Sequence, residues 1–325
     1  MKITQWTLLA GFIMAVCFAS ATDAGDWKFK GKMFGDYYYV ASADDGDTKL
    51  PEKRNALQFR RIYFTAEKDM GDDMSMRYRL EAKDAGFGSG SKMEPFVKHA
   101  YLKWKGGLAN ADLYLGLSGT PTWAVAETAW GYRAVEKTVL DLNKIGSSAD
   151  IGVALKGKSY HLMVGNGPGQ SSEDDNGKKF YGSVKRNISE SLLVEGYGDY
   201  NMLPGDQNQL TLRILAGLTQ ENLRAGLEVF SRINQKAVVA MEAGDDVTIS
   251  GISAYGTLTL SEQLKGFARL DAVSNNGKDT TDLLIIAGLD RKIAAKAYLI
   301  PNIYVQLPDG PDPNIQARLT FYYKY

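Results

Sequence analysis

The chain has 325 residues, and its 38 lysines and arginines are balanced by 38 aspartates and glutamates, so the formal net charge is zero. Nucleic-acid-binding domains carry a clear basic excess, and this balance argues against that class. Tyrosine (18 residues) and glycine (34) are abundant while proline is scarce (9), a composition typical of many strands joined by tight turns.

The N-terminus has the organisation of a secretory signal peptide. Lys2 precedes an apolar run over residues 6–18, and three small residues follow it. This pattern is too short for a membrane-spanning helix and predicts cleavage after Ala21, with Ala24 as the alternative. The single cysteine, Cys17, lies inside the signal, so the exported chain needs a source of rigidity other than disulfides.

After the signal peptide (1–21), residues 22–325 are expected to form one domain of about sixteen strands. Apolar–polar alternation and turn signals predict strands at 27–41, 56–68, 74–85, 95–104, 111–117, 149–156, 160–165, 178–187, 192–201, 209–219, 223–234, 246–260, 264–273, 281–291, 295–306 and 314–325. No segment of this domain approaches the ~18 apolar residues of a membrane helix. Connections after even strands are tight, and those after odd strands are longer and polar. This sorting is typical of membrane barrels.

The last strand shows two distinct faces. Because side chains alternate along a strand, Leu319, Phe321 and Tyr323 share an apolar face that continues to the chain end, while Arg318 and Lys324 lie opposite. A charge that faces lipid at the bilayer midplane costs roughly 2–4 kcal/mol, so the polar face must be the wet interior. The sequence therefore predicts an all-β protein, a closed transmembrane antiparallel β-barrel with both termini on the periplasmic side.

Two places disturb the alternation. Arg60 and Arg61 are adjacent and cannot both face the interior unless a β-bulge intervenes. Lys98 falls on the same face as Ala100 and Leu102, which places it towards lipid and is tolerable only near a headgroup.

The connection over residues 118–148 is 31 residues long and differs from the others. It is rich in side chains that can pack, and long loops are usually functional or disordered. Thr122 is a candidate cap for a short helix over residues 123–130, which Gly131 would end. We expect this third loop to fold inward and narrow the lumen; the alternative is an extracellular cap or a subunit-contact loop.

Five segments resemble those of a known family. They are residues 29–40 (FKGKMFGDYYYV), 57–65 (LQFRRIYFT), 120–123 (TPTW), 130–133 (WGYR) and 319–325 (LTFYYKY). The chain resembles bacterial outer-membrane porins of the trimeric, sixteen-strand type, and the first two segments also resemble the phosphate-selective branch. The resemblance implies an integral outer-membrane homotrimer in contact with lipid, forming a water-filled channel for passive diffusion of small hydrophilic solutes and ions. The alternatives are a channel selective for phosphate or other anions, and a non-transporting barrel that acts as an adhesin or structural anchor.

The candidate pore residues come from the loop and from the inward face of the strands. We expect Glu127, Arg133, Glu136 and Asp141 of the loop near the narrowest point, with Arg77, Arg79, Arg213, Arg224, Arg269 and Arg318 on the facing wall. Inward cations outnumber inward carboxylates on the well-patterned strands, which predicts a mild anion preference that salt should weaken.

The sequence gives little support for a catalytic or metal-binding site. The two histidines, His99 and His161, lie in different strands without a carboxylate at ligand spacing. No helix pattern follows the glycine-rich residues 165–169, so they predict a turn and not a phosphate loop. The acidic residues 44–47 predict an exposed loop tip. We therefore expect no enzyme activity, no cofactor and no nucleic-acid partner.

Overall fold

The computed structural model describes residues 27–43, 51–84, 89–239, 242–310 and 312–325. The predicted signal peptide and the acidic tip at 44–47 lie outside these ranges. The strands are β1 (Trp27–Ser42), β2 (Asn55–Gly71), β3 (Met74–Ala82), β4 (Phe96–Leu108), β5 (Ala111–Gly119), β6 (Ala149–Lys156), β7 (Tyr160–Gly165), β8 (Lys179–Asn187), β9 (Leu192–Asn201), β10 (Gln209–Thr219), β11 (Leu223–Asn234), β12 (Val238–Val239), β13 (Glu242–Ala243), β14 (Val247–Ser261), β15 (Leu264–Asn275), β16 (Thr280–Ala294), β17 (Ala297–Leu307) and β18 (Asn314–Lys324). Two short helices, α1 (Ala124–Trp130) and α2 (Val139–Leu142), and one 3₁₀ turn (Pro204–Asp206) complete the elements of these described ranges.

Sixteen of these strands form one closed barrel, and β12 and β13 pair only with each other in a connecting loop. The barrel closes between β1 and β18, where Tyr37 lies opposite Leu319. The backbone amide of Gly31 donates to the carbonyl of Tyr325 at 3.0 Å, and the Tyr325 amide donates back at 3.1 Å. Closure leaves no strand edge unpaired in lipid. The predicted strand number and the predicted pairing of the first and last strands are confirmed.

The two ends of the barrel differ in their connections, as predicted. At one end, here called the turn end, residues with positive φ make two-residue turns, such as Asp72 (49°) and Asp73 (58°) between β2 and β3. Two consecutive positive φ values give the turn that matches the twist of a hairpin. Longer connections leave from the opposite end, here called the loop end. The first and last strands start and finish at the turn end.

The outer surface of the barrel is apolar at alternating positions. On β10, Leu212 (55% exposed) and Ile214 (65%) face outward, whereas Arg213 between them is 2% exposed. The same alternation continues on β17 and β18, where Ile303 and Leu319 face outward. A surface of this kind suits lipid contact, because hydrocarbon solvates it and the polar groups are turned inward. No helix within the described ranges is long and apolar enough to cross a membrane.

Two β-bulges account for the positions where the sequence departs from apolar–polar alternation. The β1–β2 register passes from Phe34 opposite Arg61 to Gly35 opposite Phe59, so Arg60 is an extra residue and both arginines face inward. This confirms the bulge that the adjacent arginines required.

The prediction that Lys98 faces lipid was wrong. The β3–β4 register jumps between Arg79 opposite His99 and Leu80 opposite Val97, which makes Lys98 the extra residue. The bulge turns its ammonium inward, 2.9 Å from the Glu81 carboxylate.

Candidate functional site in the barrel lumen

The loop between β5 and β6 begins with helix α1, close to the predicted boundaries. Gly131, with φ 76°, ends the helix in the left-handed conformation that glycine adopts at little cost. The predicted capping role of Thr122 was wrong, because Trp123 occupies the N-cap position and no side chain caps the helix. The Thr122 hydroxyl instead lies 2.9 Å from the Tyr197 hydroxyl of the wall.

One face of the loop packs against apolar side chains that point into the barrel. The Trp130 ring lies 5.5 Å from Tyr255 and 6.0 Å from Phe267. Tyr132 stacks on Phe267 at 4.1 Å. Trp123 belongs to a second buried group that includes Phe230 of β11. This part of the lumen is therefore a packed core shared by the loop, β11 and β14–β17.

Arginines of the wall bind the backbone of the loop. Arg213 donates to the Thr122 carbonyl at 2.6 Å, and Arg224 donates to the carbonyl of Ala129 at 3.1 Å. Arg269 donates to the carbonyl of Lys137. Arg60, from the bulge on β2, donates to the Val135 carbonyl at 2.5 Å and to the carbonyl of Ala134. Charged donors make hydrogen bonds roughly twice as strong as neutral ones, so these contacts anchor the loop at four points.

A buried ion pair adds a fifth attachment. The Glu136 carboxylate lies 3.5 Å from the Arg318 guanidinium, and both side chains are largely buried. Burial would raise the pKa of Glu136, but the nearby charges of Arg318 and Arg60 outweigh it and leave the pKa below its usual value. Glu136 is thus a charged structural group of the loop.

The open part of the lumen lies on the opposite side of the loop, against β1–β4. It begins at the loop end as a cavity of about 380 Å³, here called the loop-end cavity. Eight cations line it, namely Lys32, Arg61, Arg79, Lys83, Lys98, Arg133, Lys137 and Lys144, together with the carboxylates Glu81, Glu127 and Asp141.

Each carboxylate of the loop-end cavity is bound by a cation. Arg133 lies 3.3 Å from both Glu127 and Asp141. Glu81 is bound by Arg61 at 2.6 Å and by Lys98 at 2.9 Å. The carboxylates are therefore compensated locally, and the remaining charge of the cavity is positive.

Further cavities follow towards the turn end and share lining residues with one another; this row of cavities is here called the passage. His99 lines both the loop-end cavity and a middle cavity of about 200 Å³, which is also lined by His161, Arg77 and Lys156 but by no carboxylate. Arg77 in turn lines a cavity of about 250 Å³ near the β2–β3 turn, where it pairs with Glu67.

A further cavity of about 320 Å³ lies beneath helix α1 and is here called the helix cavity. It shares Lys156 and His161 with the middle cavity.

Metal-binding groups are few in the described part of the chain. The carboxylates of Glu173, Asp174 and Asp175 lie close enough together to hold a cation, but they are on a loop and Lys178 binds Glu173 at 3.0 Å. The two histidines do share the middle cavity, a proximity that their separate strands did not predict.

The structure divides the predicted pore residues into two groups. Glu127, Arg133, Asp141 and Arg79 meet in the loop-end cavity, and Arg77 lies farther along the passage. The others, Glu136, Arg213, Arg224, Arg269 and Arg318, make contacts between loop and wall.

Sequence reasoning missed several cations of the passage. The inward direction of Lys32 could have been predicted, because it alternates with the outward residues of β1. The inward direction of Lys98 could not, because it depends on the bulge. Helix α2 was also missed, although Thr138 followed by Val139 and Leu140 is a sequence that often starts a helix.

No protein-family model matches the sequence, and no curated protein matches it. Among solved structures, the barrel is similar to the anion-selective porin from Comamonas acidovorans, with a TM-score of 0.66 at 12% identity over 92% of this chain and 99% of that one. It is also similar to Salmonella typhi OmpF in complex with daunomycin (0.64, 13%, 93% and 98%) and to the trimer form of the Vibrio cholerae outer-membrane protein OmpT (0.63, 12%, 92% and 99%). The chain therefore has the fold of the sixteen-strand porins, integral β-barrels of the bacterial outer membrane.

Proposed function

We propose that the mature chain, residues 22–325, is an outer-membrane porin. It forms a water-filled channel for passive diffusion of small hydrophilic solutes and ions, and it prefers anions. It acts as a channel and not as an enzyme. The observation that supports this most directly is the loop-end cavity, where eight cations face three carboxylates that are already paired.

Anion preference follows from the charges along the whole passage. In a narrow aqueous channel, wall charges of one sign raise the local concentration of the opposite ion. The middle cavity has no carboxylate among its lining residues and adds Lys156, while its Arg77 is paired with Glu67 of the next cavity. The similar porin from Comamonas acidovorans is anion-selective, which supports this proposal.

The third loop is proposed to constrict the channel. Glu127, Arg133 and Asp141 project from it into the loop-end cavity, opposite Lys32 and Arg79 of the wall. Since the other face of the loop is packed and anchored by arginines, the loop occupies part of the cross-section and leaves the β1–β4 side open. Solutes then pass between loop and wall, in contact with these charges.

The channel is further proposed to be a homotrimer, with its turn end facing the periplasm. Short turns on the periplasmic side and long loops outside are the usual arrangement in outer-membrane barrels. The similar Vibrio cholerae structure is described as a trimer form. Denaturing electrophoresis of the unboiled protein should give a trimer band that disappears on boiling, and chemical cross-linking before boiling should preserve that band.

Reconstitution into planar bilayers tests the function. The pure protein should conduct, and a gradient of potassium chloride should give a zero-current potential of the sign that chloride preference requires. Because electrostatic selectivity weakens as the Debye length shortens, the preference should decline at high salt. A folded barrel without conductance would support the structural-anchor alternative, and a potential of the opposite sign would refute anion preference.

A further inference from the structure

The helix cavity combines an apolar wall with unpaired positive charge. It lies towards the turn end, between helix α1 and strands β6–β11, with a volume of about 320 Å³. This is at the lower limit of typical small-molecule sites, which occupy about 300–1,000 Å³. Such sites are mostly apolar, with a few polar groups that fix the orientation of the ligand.

Small residues keep this space open. Helix α1 presents Ala124, Val125 and Ala129 to the cavity, while Trp130 is buried in the core beyond it. On the wall, a Cβ atom placed on Gly217 would lie 3.7 Å from the Ala129 Cβ, so a larger side chain at this position would enter the cavity. Leu193 of β9 completes the apolar lining.

The charge of the cavity comes from three cations. Lys156 and Lys185 line it, and within the described ranges neither forms an ion pair; Lys185 lies opposite Glu195 in the β8–β9 register. Arg224 also lines it, with its guanidinium bound to the carbonyl of Ala129 at 3.1 Å. The one carboxylate in the lining, Glu195, is already paired with Arg213. A ligand at this site therefore meets a net positive charge.

We propose that the helix cavity binds organic anions with a single compact apolar body, such as an aromatic carboxylate. The carboxylate interacts with Lys156 and Lys185, and the ring lies against Val125, Ala129 and Leu193. A small inorganic anion gains nothing from the apolar wall, and a neutral aromatic molecule gains nothing from the lysines. The inference rests on the proposed channel function and names the solute class that this channel favours.

Calorimetric titration of the detergent-solubilised protein tests the site without requiring transport. Benzoate should bind at least tenfold more tightly than acetate, which lacks the ring, or benzamide, which lacks the charge. Gly217→Leu should abolish benzoate binding by filling the cavity. The double variant Lys156→Gln/Lys185→Gln should weaken it at least tenfold.

A matched glycine serves as the control. Gly196 lies on the outer face of the barrel, where an added Cβ atom meets nothing within 4 Å, and like Gly217 it has no positive φ. Gly196→Leu should bind benzoate like the wild type. Benzoate binding no tighter than acetate binding, or unaffected by both Gly217→Leu and the double lysine variant, would overturn the proposal.

Bilayer recordings on the same preparations separate the two proposals. If the protein conducts chloride but benzoate fails to bind, the organic-anion site is wrong and the channel function stands. If benzoate binds but the protein conducts no ions, the channel function is wrong and the cavity is a binding site only.

Discussion

Reversing the charge of Arg133 should reduce anion selectivity more than the same reversal of charge at a residue outside the passage. Arg133 is the cation that compensates both Glu127 and Asp141, at 3.3 Å from each. In Arg133→Glu the charge of the loop-end cavity falls by two. Glu127 loses its bound cation, and Asp141 keeps only Lys137, at 3.8 Å. The loop stays anchored, because the wall arginines bind backbone carbonyls of other loop residues. Replacing the Arg133 side chain leaves those hydrogen bonds in place.

The magnitude follows from Coulomb's law. At about 7 Å in water one unit charge contributes about 0.6 kcal/mol, and screening at 0.1 M salt reduces this to about 0.3 kcal/mol. The change of two charges therefore shifts the energy of a monovalent ion in the passage by about 0.6 kcal/mol, in opposite directions for chloride and potassium. The permeability ratio of chloride to potassium should fall roughly eightfold, since about 1.2 kcal/mol separates the two ions.

The zero-current potential in a potassium chloride gradient measures this ratio. The shift should be large near 0.1 M salt and small near 1 M, where the Debye length is about 3 Å. Lys296→Glu, in the exposed turn between β16 and β17, is the control with the same change of charge outside the passage. Equal shifts for the two variants, or no shift for Arg133→Glu, would refute the proposed location of the selectivity-determining charges.

The remaining predictions concern the attachment of the loop. Arg213→Ala leaves Glu195 and Glu228 buried without their cation and should lower the free energy of unfolding by about 3–5 kcal/mol in urea titrations, against less than about 0.5 kcal/mol for the exposed Arg186→Ala. Deleting residues 124–136 should raise single-channel conductance; unchanged conductance in a folded barrel would contradict the constriction. Folding lowers the pKa of the Glu136 carboxyl. The ionised group therefore contributes its full stabilisation when the pH is above the usual pKa of 4.5, and this contribution is lost as the pH falls through the lower pKa of the folded state. The stability difference between wild type and Glu136→Gln should therefore be largest at neutral pH and disappear in acid, and a difference that grows in acid would contradict the ion pair.

The strands could be predicted from the sequence because their signal is local. In a barrel bounded by lipid, each strand must alternate apolar and polar residues over its whole length, and each turn has its own residue preferences. The β10 segment shows this, with Leu212 and Ile214 outward and Arg213 inward as the alternation requires. The length of the third loop was equally visible, as was the helix that ends at Gly131.

The hydrogen-bond partners of the inward arginines could not be predicted in the same way. Alternation shows that Arg213, Arg224 and Arg269 face the interior, but not that their partners are loop carbonyls about 90 to 130 residues away in sequence. A count of inward charges treats all of them as free lumen cations. In the folded protein they serve the loop, and the charge of the passage comes instead from Lys32, Arg61, Lys98 and other residues of the opposite wall.

The two bulges explain how this opposite wall becomes cationic without losing its outer face. A one-residue slip of a strand would move every side chain to the other face and place charges in lipid. A bulge adds a single residue and restores the alternation beyond it, so Arg60 and Arg61, and likewise Lys98, reach the interior while their neighbours keep their orientation. Arg61 and Lys98 then bind the same carboxylate, Glu81, which is 2% exposed. One inward negative charge on β3 is thereby outweighed by two cations from adjacent strands, and the passage between the third loop and this wall remains positive.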